Sequence, residues 1–509
     1  MHEELTLNVE NFGPIAEASV KIKPLTIFVG QNNTGKSYLA LLVYAISHSV
    51  HNALESADLP LYPYEYGLRH SRDPLTVHVL SKVRALNALK QWLPADTMMK
   101  RRIRPQQVII PYNSLPKSLR QVADSHVEAY LEVCRKNLSN ELRRCYGAKL
   151  LSDLACKTGD RRDFCLSIEQ VWPELDLQFN FAGQELKLLR SSFSCRRQKL
   201  DFTMPSRSMF LRRLRRGGTL DFQEQGSEKD LEIMMLRSMA ARIVDETPRQ
   251  FMKILTRKAF YLPAARSGIL QGQKVLSNSL MQAASYAGIE QIKMSRFSGV
   301  VVDFLSAIDS IEKSQHGSFY KLATQFEQEL MAGTVELDVD RYQRPEIYFK
   351  EPKVGRLGLH RTSSMISELA PVILLLKYLL DNRSIIIVEE PESHLHPANQ
   401  RLLAKLLARL VNAGVIVILT THSDYFLQQM SNLVALGTKS ASHIEKMGYG
   451  AQDVIHPDKV SAYLFESSKP PRGSRVRSLD VGDHGILDEE FGEVAEALYE
   501  ETVESRRRA

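Results

Sequence analysis

The sequence predicts an α/β fold: a mixed, largely parallel sheet flanked by helices, interrupted by a large, mainly helical insertion. Three observations predict it. Between residues 364 and 423 apolar strands and amphipathic helices alternate, the pattern of a parallel sheet covered on both faces. Near the N-terminus an apolar strand runs through a glycine-rich loop straight into a helix pattern. Between these regions the chain turns to charged segments broken by prolines.

Each element follows from its pattern. "LTLNVENF" alternates as a half-buried strand does, Gly13-Pro14 marks a turn, and "ASVKI" and "LTIFVG" read as two further strands. "KSYLALLVYAISHSV" places Leu39, Leu42, Val43 and Ile46 at helical spacing. Residues 61–254, with Pro63, Pro74, Pro94, Pro105, Pro111 and Pro116, show no strand-rich core and read as a helical insertion. Strand patterns return at "KAFYLPAARSG" and "TVELDVD" with "PEIYFK". Then come helix "SELAPVILLLKYLL", strand "SIIIVEE", helix "NQRLLAKLLARLVNAG" and strand "VIVILTTHS". The second of these helices carries Leu402, Leu403, Leu406, Leu407 and Leu410 on one face, with Gly414 where a C-terminal cap belongs. The sheet-bearing domain is therefore split, 1–60 joined to 255–465, around the insertion 61–254. Residues 466–509 form a basic loop and an acidic C-terminal helix.

"GQNNTGKS", Gly30 to Ser37, has the spacing G-x-x-x-x-G-K-[ST] and sits between an apolar strand and a helix. Gly30 and Gly35 let the backbone wrap closely around phosphates, and the N–H groups of Gln31, Asn32, Asn33 and Thr34 plus the helix N-terminus offer an anion site. Lys36 brings a charge to β- and γ-phosphates, and Ser37 can ligate Mg²⁺. The strand "SIIIVEE" raises a matching question, since a buried strand ending in Glu389 and Glu390 is costly unless a cation or a proton-transfer task uses the carboxylates. Glu389 is placed to hold a magnesium-bound water, and Glu390 to polarise an attacking water; helix capping is the plainer alternative for both. His422, at the tip of "VIVILTTHS", can reach a γ-phosphate or be a core histidine. In "TSSMISELAP", Ser363, Ser364 and Ser367 precede an amphipathic helix with Glu368 in its first turn, the pattern of a helix N-cap.

Composition excludes other classes. With 44% hydrophobic and 25% charged residues in 509, the chain is neither disordered nor collagen-like. The acidic, alternating N-terminus is no signal peptide, and runs such as "PVILLLKYLL" are too short to span a bilayer, which points to a cytoplasmic protein without membrane contact. Cys134, Cys145, Cys156, Cys165 and Cys195 lack C-x-x-C spacing and read as reduced, partly buried thiols. Net charge is +7, unevenly spread. Residues 187–217 hold ten lysines and arginines against the single acid Asp201, and residues 480–504 hold ten acids and no lysine or arginine. The basic block can meet a polyanion, pair with the acidic tail, or simply solvate a helix end.

Taken in order, "GQNNTGKS", "TSSMISELAP", "IIIVEEPESHLHP" and "ILTTHS" resemble the nucleotide-binding core of ABC-type ATPases, and more narrowly the OLD-like and SMC-like AAA ATPases of prokaryotes. "FYLPAARSG" and "DHGILDEEF" look like segments of the same group. The resemblance implies a P-loop ABC-type ATPase core with ATP and Mg²⁺ as cofactors. By it, Lys36 and Ser37 match the phosphate and magnesium contacts, Glu389 the Walker B acid, Glu390 the catalytic glutamate, His422 the switch histidine and Ser364 the signature serine. The sequence departs from the pattern in lacking S-G-G-Q and in placing His396 where a D-loop aspartate is expected.

The resemblance further implies a head-to-tail homodimer, or a higher oligomer, with ATP at the interface. After His422 only 87 residues remain, too few for the nuclease domain OLD-like proteins often carry, so an effector such as a nuclease or toxin is expected as a separate chain. A sensor or scaffold ATPase of anti-phage defence is one expectation, its basic segment 187–217 meeting nucleic acid or a phage protein. A DNA-repair or chromosome-maintenance ATPase that clamps DNA is the other.

Overall fold

The computed structural model describes residues 4–55, 89–92, 106–156, 163–170, 174–182, 185–194, 199–204, 228–272, 297–339, 345–467, 473–487, 497 and 499–505. Strands β1 (Leu5–Phe12), β2 (Ile15–Ile22) and β3 (Leu25–Gly30) lead into helix α1 (Lys36–Glu55). The insertion follows, with β4 (Gln106–Pro111), α2 (Lys117–Tyr146), β5 (Cys165–Gln170), β6 (Glu174–Ala182), β7 (Glu185–Ser194), β8 (Lys199–Met204) and α3 (Glu228–Phe251). Then come β9 (Ala259–Leu262), α4 (Gly299–Asp309), α5 (Tyr320–Met331), β10 (Thr334–Val339), β11 (Pro345–Glu351), β12 (Gly355–Gly358) and α6 (Ser364–Tyr378). The chain continues through β13 (Ile385–Glu389), α7 (Pro397–Asn412), β14 (Ile416–Thr421), α8 (Asp424–Leu436), α9 (Ala441–Lys446), β15 (Val460–Glu466), β16 (Ser474–Ser478), β17 (Val481–Gly482) and β18 (Gly485–Ile486).

Eleven of the described strands make one sheet, in the order β7-β6-β5-β1-β2-β16-β15-β3-β14-β13-β9. Strands β15, β3, β14, β13 and β9 pair in parallel. From β7 to β2 the pairing is antiparallel. All six residues of β3 and of β14 are buried, and their alternate side chains feed two cores. Ile385, Ile387, Ile416 and Ile418 pack with α1 and α2 on one face, and Ile386, Val388, Val417 and Leu419 with α6, α7 and α8 on the other. That is why these runs read as continuous apolar stretches instead of alternating ones.

The helix between β13 and β14 follows its sequence pattern closely. Pro397 opens α7 behind the cap His396, Leu403, Leu406, Leu407 and Leu410 are buried, and Gly414 has a φ of 100° just past the end.

The insertion holds strands besides its helices. Its two long helices are there, but β5, β6 and β7 extend the main sheet from the edge of β1, and β4 pairs with β8. The signal was present in "CLSIEQ", where Leu166, Ile168 and Gln170 face inward at period two, short enough to be masked by the charged residues around it. Helix α2 also lies antiparallel along α1, with the Tyr146 hydroxyl donating to the Tyr38 carbonyl (2.7 Å) and the Tyr130 hydroxyl to that of Val50 (2.7 Å). Half of the expected basic C-terminal loop is likewise strand: β16 pairs with β15 and β2.

Among the described cysteines, Cys134, Cys145 and Cys156 are buried and Cys165 is exposed; burial pushes the Cys134 thiol up to about 12. Cys195 lies outside the described residues, as does most of the basic block, including Arg196, Arg197, Arg207, Arg212, Arg213, Arg215 and Arg216. Among the described residues no helix is long and apolar enough to cross a membrane.

Candidate active site

The glycine loop leaves the end of β3 in a conformation that only its own residues allow. Gly30 has a φ of 134°, and a Cβ there would stand 2.4 Å from the Phe465 carbonyl oxygen on the neighbouring strand. Asn33 (φ 64°) and Gly35 (φ 100°) are also left-handed, the backbone asparagine tolerates and glycine adopts freely. Buried Thr34 ties the loop by donating to the Gln31 carbonyl at 2.8 Å. Gln31, Asn32 and Asn33 are exposed along the rim.

Lys36 opens α1 and is 7% exposed. Its Nζ donates to the carbonyls of Gly30 (2.7 Å) and Gln31 (2.6 Å). Burial lowers its pKa, and the carboxylates of Glu390 and Glu392 pull it back up. Ser37 is exposed at the second helical position. The first N–H groups of α1 have no acceptor within the helix, so loop and helix end together present donors and a cation to an anion.

The acidic strand tip stands two strands away, because β14 lies between β3 and β13. Two strand spacings are about 10 Å, room for phosphate groups and a hydrated cation between Lys36 and the acids. Glu389 Oε2 accepts from the Ala264 N–H at 3.2 Å, and this carboxylate raises the pKa of the buried Tyr261 hydroxyl further beyond what burial does. Glu390 takes a φ of 41°, unusual for a residue with a side chain. Its N–H donates to Thr420 O (2.9 Å), and Ser393 Oγ donates to its Oε2 (3.1 Å). His422 Nδ1 lies 3.7 Å from Glu390 Oε1 and 3.7 Å from Glu392 Oε1, with the imidazole 44% exposed. It is not a core histidine. Glu389 and Glu390 likewise have partners other than a helix end, so capping does not account for them.

Ser364 is exposed as the first residue of α6, one position past the cap: Ser363 Oγ accepts from the Ile366 N–H, and Ser367 is buried, donating to Leu359 O at 3.1 Å.

Sequence reasoning left three participants unassigned. Arg266, 1% exposed, donates to the carbonyls of Glu389 (2.9 Å), Pro263 (3.1 Å) and Glu368 (3.2 Å) and lies 3.1 Å from Glu368 Oε2. It is thus the clamp that holds the acidic tip in place. Burial lowers its pKa, while Glu368, Glu389, Glu392 and Glu390 act to raise it. Glu368, also 1% exposed, accepts from the Ser267 N–H (3.1 Å) and hydroxyl (2.5 Å). Glu392 accepts on Oε1 from the Thr421 hydroxyl (2.7 Å) and the His422 N–H (3.1 Å). A lone arginine in "FYLPAARSG" and a third glutamate in "EEPE" were the available signals.

The residues present suit magnesium. Among the described residues no group of three or more His, Cys, Asp or Glu side chains could hold a metal ion alone. Mg²⁺ does not need one, since it keeps several waters and binds through substrate phosphates plus one or two oxygen ligands. The exposed Ser37 hydroxyl and the carboxylates of the β13 tip are oxygen donors of that kind.

Among solved structures the chain is similar to an SmcHead bound to the C-winged helix domain of ScpA, at 12% identity and a TM-score of 0.36, over 94% of this chain and 98% of that one. It is also similar to the SMC head domain from Thermotoga maritima, at 10% identity and a TM-score of 0.32, over 94% of this chain and 100% of that one. A third is the Smc head domain with an extended coiled coil bound to the C-terminal domain of ScpA derived from Pyrococcus furiosus: 11% identity, TM-score 0.35, 98% and 99% coverage. Likeness at this level carries no statement about function. No curated protein matches the chain. Residues 221–427 match the AAA ATPase domain family, a span that takes in Arg266, Ser364, the acids at 389–392 and His422 and leaves out the glycine loop.

Proposed function

We propose that this protein is a magnesium-dependent ATPase. The observation that carries the reading is that β3 and β13, parallel and separated by β14 alone, bring the glycine loop with Lys36 and the acids at 389–392 to the same end of the sheet, although the residues lie more than 350 positions apart. Gly30 to Gly35 and the N-terminus of α1 bind the phosphates through N–H groups, and Lys36 exchanges its own loop carbonyls for phosphate oxygens. Mg²⁺, when bound, neutralises phosphate charge; Ser37 and the strand-tip acid Glu389 are the residues assigned to hold it. Glu390 takes a proton from water: Ser393 fixes one carboxylate oxygen, and the side chain is 34% exposed, so water reaches the other. His422 contacts the terminal phosphate from the tip of β14.

The test is Glu390→Gln. General-base loss slows the chemical step by about 10²- to 10⁴-fold, so ATP binding should persist while single-turnover hydrolysis collapses. Hydrolysis at the wild-type rate in that variant refutes the role.

We infer further that the protein works as a homodimer or higher oligomer. A phosphate-binding face open on one side leaves the γ-phosphate wet, and the exposed Ser364 hydroxyl is offered for the nucleotide of a second copy. The biological task we assign, on the motif resemblance, is a cytoplasmic ATP-gated sensor or scaffold in anti-phage defence that controls a separate effector. A DNA-clamping repair ATPase is the second reading, favoured by the ten basic residues of 187–217. Co-purification with products of adjacent genes separates the two: a stably bound nuclease or toxin supports the first, and duplex DNA binding with no effector supports the second.

A further inference from the structure

Glu392 is 5% exposed, and its two oxygens have different surroundings. Oε1 is used by Thr421 and by the His422 N–H. Oε2 is buried and has no hydrogen-bond partner. A carboxylate oxygen removed from water without a donor is a standing cost, and such atoms in native sites ask for a partner. The other two acids are already engaged at the corresponding atoms, Glu389 by Ala264 and Glu390 by Ser393. Glu392 lines the same cavity, of about 490 Å³, as Glu390, Ser393, His394 and His422, and its charge acts on both Lys36 and Arg266.

We propose that Glu392 Oε2 is the acceptor for a water of the hydrated magnesium ion that accompanies ATP, making Glu392 a metal-positioning residue beside Ser37. The ion is hard and keeps its waters, so a buried carboxylate one water away suits it better than a direct ligand. Oε1 meanwhile anchors the tip of β14, so the same side chain sets the height of His422 against the metal side of the site.

This inference rests on the ATPase reading, and the experiment separates them. ATP binding to the full chain is measured by calorimetry with excess magnesium chloride and again with EDTA, for wild type and Glu392→Gln. Glutamine keeps an acceptor for Thr421 and His422 and turns an NH₂ group toward the position of Oε2. Outer-sphere partners are worth about 10- to 100-fold in metal affinity, so the magnesium-dependent part of the ATP affinity should fall by about that factor, with EDTA binding unchanged. Where the glutamine variant does not fold, Glu392→Asp, which keeps the charge but withdraws it by one methylene, should show a smaller loss of the same kind. Full magnesium dependence in a folded variant overturns the proposal. So does an equal loss with and without magnesium, which assigns the oxygen to Lys36 instead. A wild-type protein that binds no ATP in either condition overturns the ATPase reading itself, and this inference with it.

Discussion

Removing Arg266 tests the idea that one buried guanidinium holds the acidic loop. Arg266→Met leaves Glu368 charged at 1% exposure without its counterion and strips donors from three carbonyls within 3.2 Å. Breaking a buried pair from one side costs about 3–5 kcal/mol, a large share of the roughly 5–15 kcal/mol that holds a typical domain folded. Glu368→Gln, which keeps an acceptor for Ser267 and discards the charge, takes from buried Arg266 the carboxylate 3.1 Å away and should cost a similar amount. In the double variant neither charge remains, and the loss reduces to the three carbonyls at about 1 kcal/mol each. The singles then sum to about 6–10 kcal/mol against about 3 for the pair, a coupling of at least about 3 kcal/mol. Urea unfolding followed by circular dichroism on all four proteins measures it. A double variant whose loss equals the sum of the singles within about 0.5 kcal/mol would show that the pair is not the fastening described here.

Other perturbations follow from the same geometry. Gly30→Ala adds a Cβ 2.4 Å from a backbone oxygen at a φ of 134°; strain of about 1–3 kcal/mol plus a comparable overpacking cost should lower thermal stability and abolish ATP binding, and an unchanged melting curve contradicts it. If ATP is held by the Lys36 ammonium, binding depends on a group whose pKa burial moves below 10.5. Affinity should therefore hold at lower pH and fall as pH rises through that lowered value, before a free lysine would titrate; a binding constant flat from about pH 7 to about pH 10 counts against it. If the basic block meets DNA, changing Arg212, Arg213, Arg215 and Arg216 to alanine should flatten the slope of log affinity against log salt by about 0.9 for each phosphate left unneutralised, and an unaltered slope removes the block from the interface.

The core was legible where periodicity and punctuation agree. Four of the five residues of "LTIFVG" before Gly30, and the four of "SIIIVEE" before Glu389, can be apolar without alternation only if both faces of the strand are covered, and both are. The glycine loop was legible because a strand that turns at once into a helix needs left-handed backbone between them, and Gly30 and Gly35 both take positive φ. What escaped the sequence is pairing between distant segments. Nothing local in "CLSIEQ" says that it joins the edge of β1, more than 150 residues upstream. Nothing local in "SRVRS" says that it lies between β15 and β2. Arg266 escaped for a related reason: an arginine is ordinarily at the surface, and only the fold shows carbonyls converging on this one. Ser363 and Ser364 differ by one position and both fit a cap; the backbone, not the residue type, decides between them.

The splicing of the insertion into the main sheet makes it a poor candidate for excision. Deleting residues 61–254 would strip β1 of the neighbour that satisfies its outer edge and would bare the flank of α1 against which α2 is laid, including Ile46 and Val50. The two helices are fastened at both ends, by Tyr146 on Tyr38 and by Tyr130 on Val50. Tyr38 follows Ser37 directly, so a load applied to the C-terminal end of α2 is felt at the first turn of α1, beside the glycine loop. What looks like an appendage in the linear chain is, mechanically, a splint bound to the helix that the glycine loop leads into.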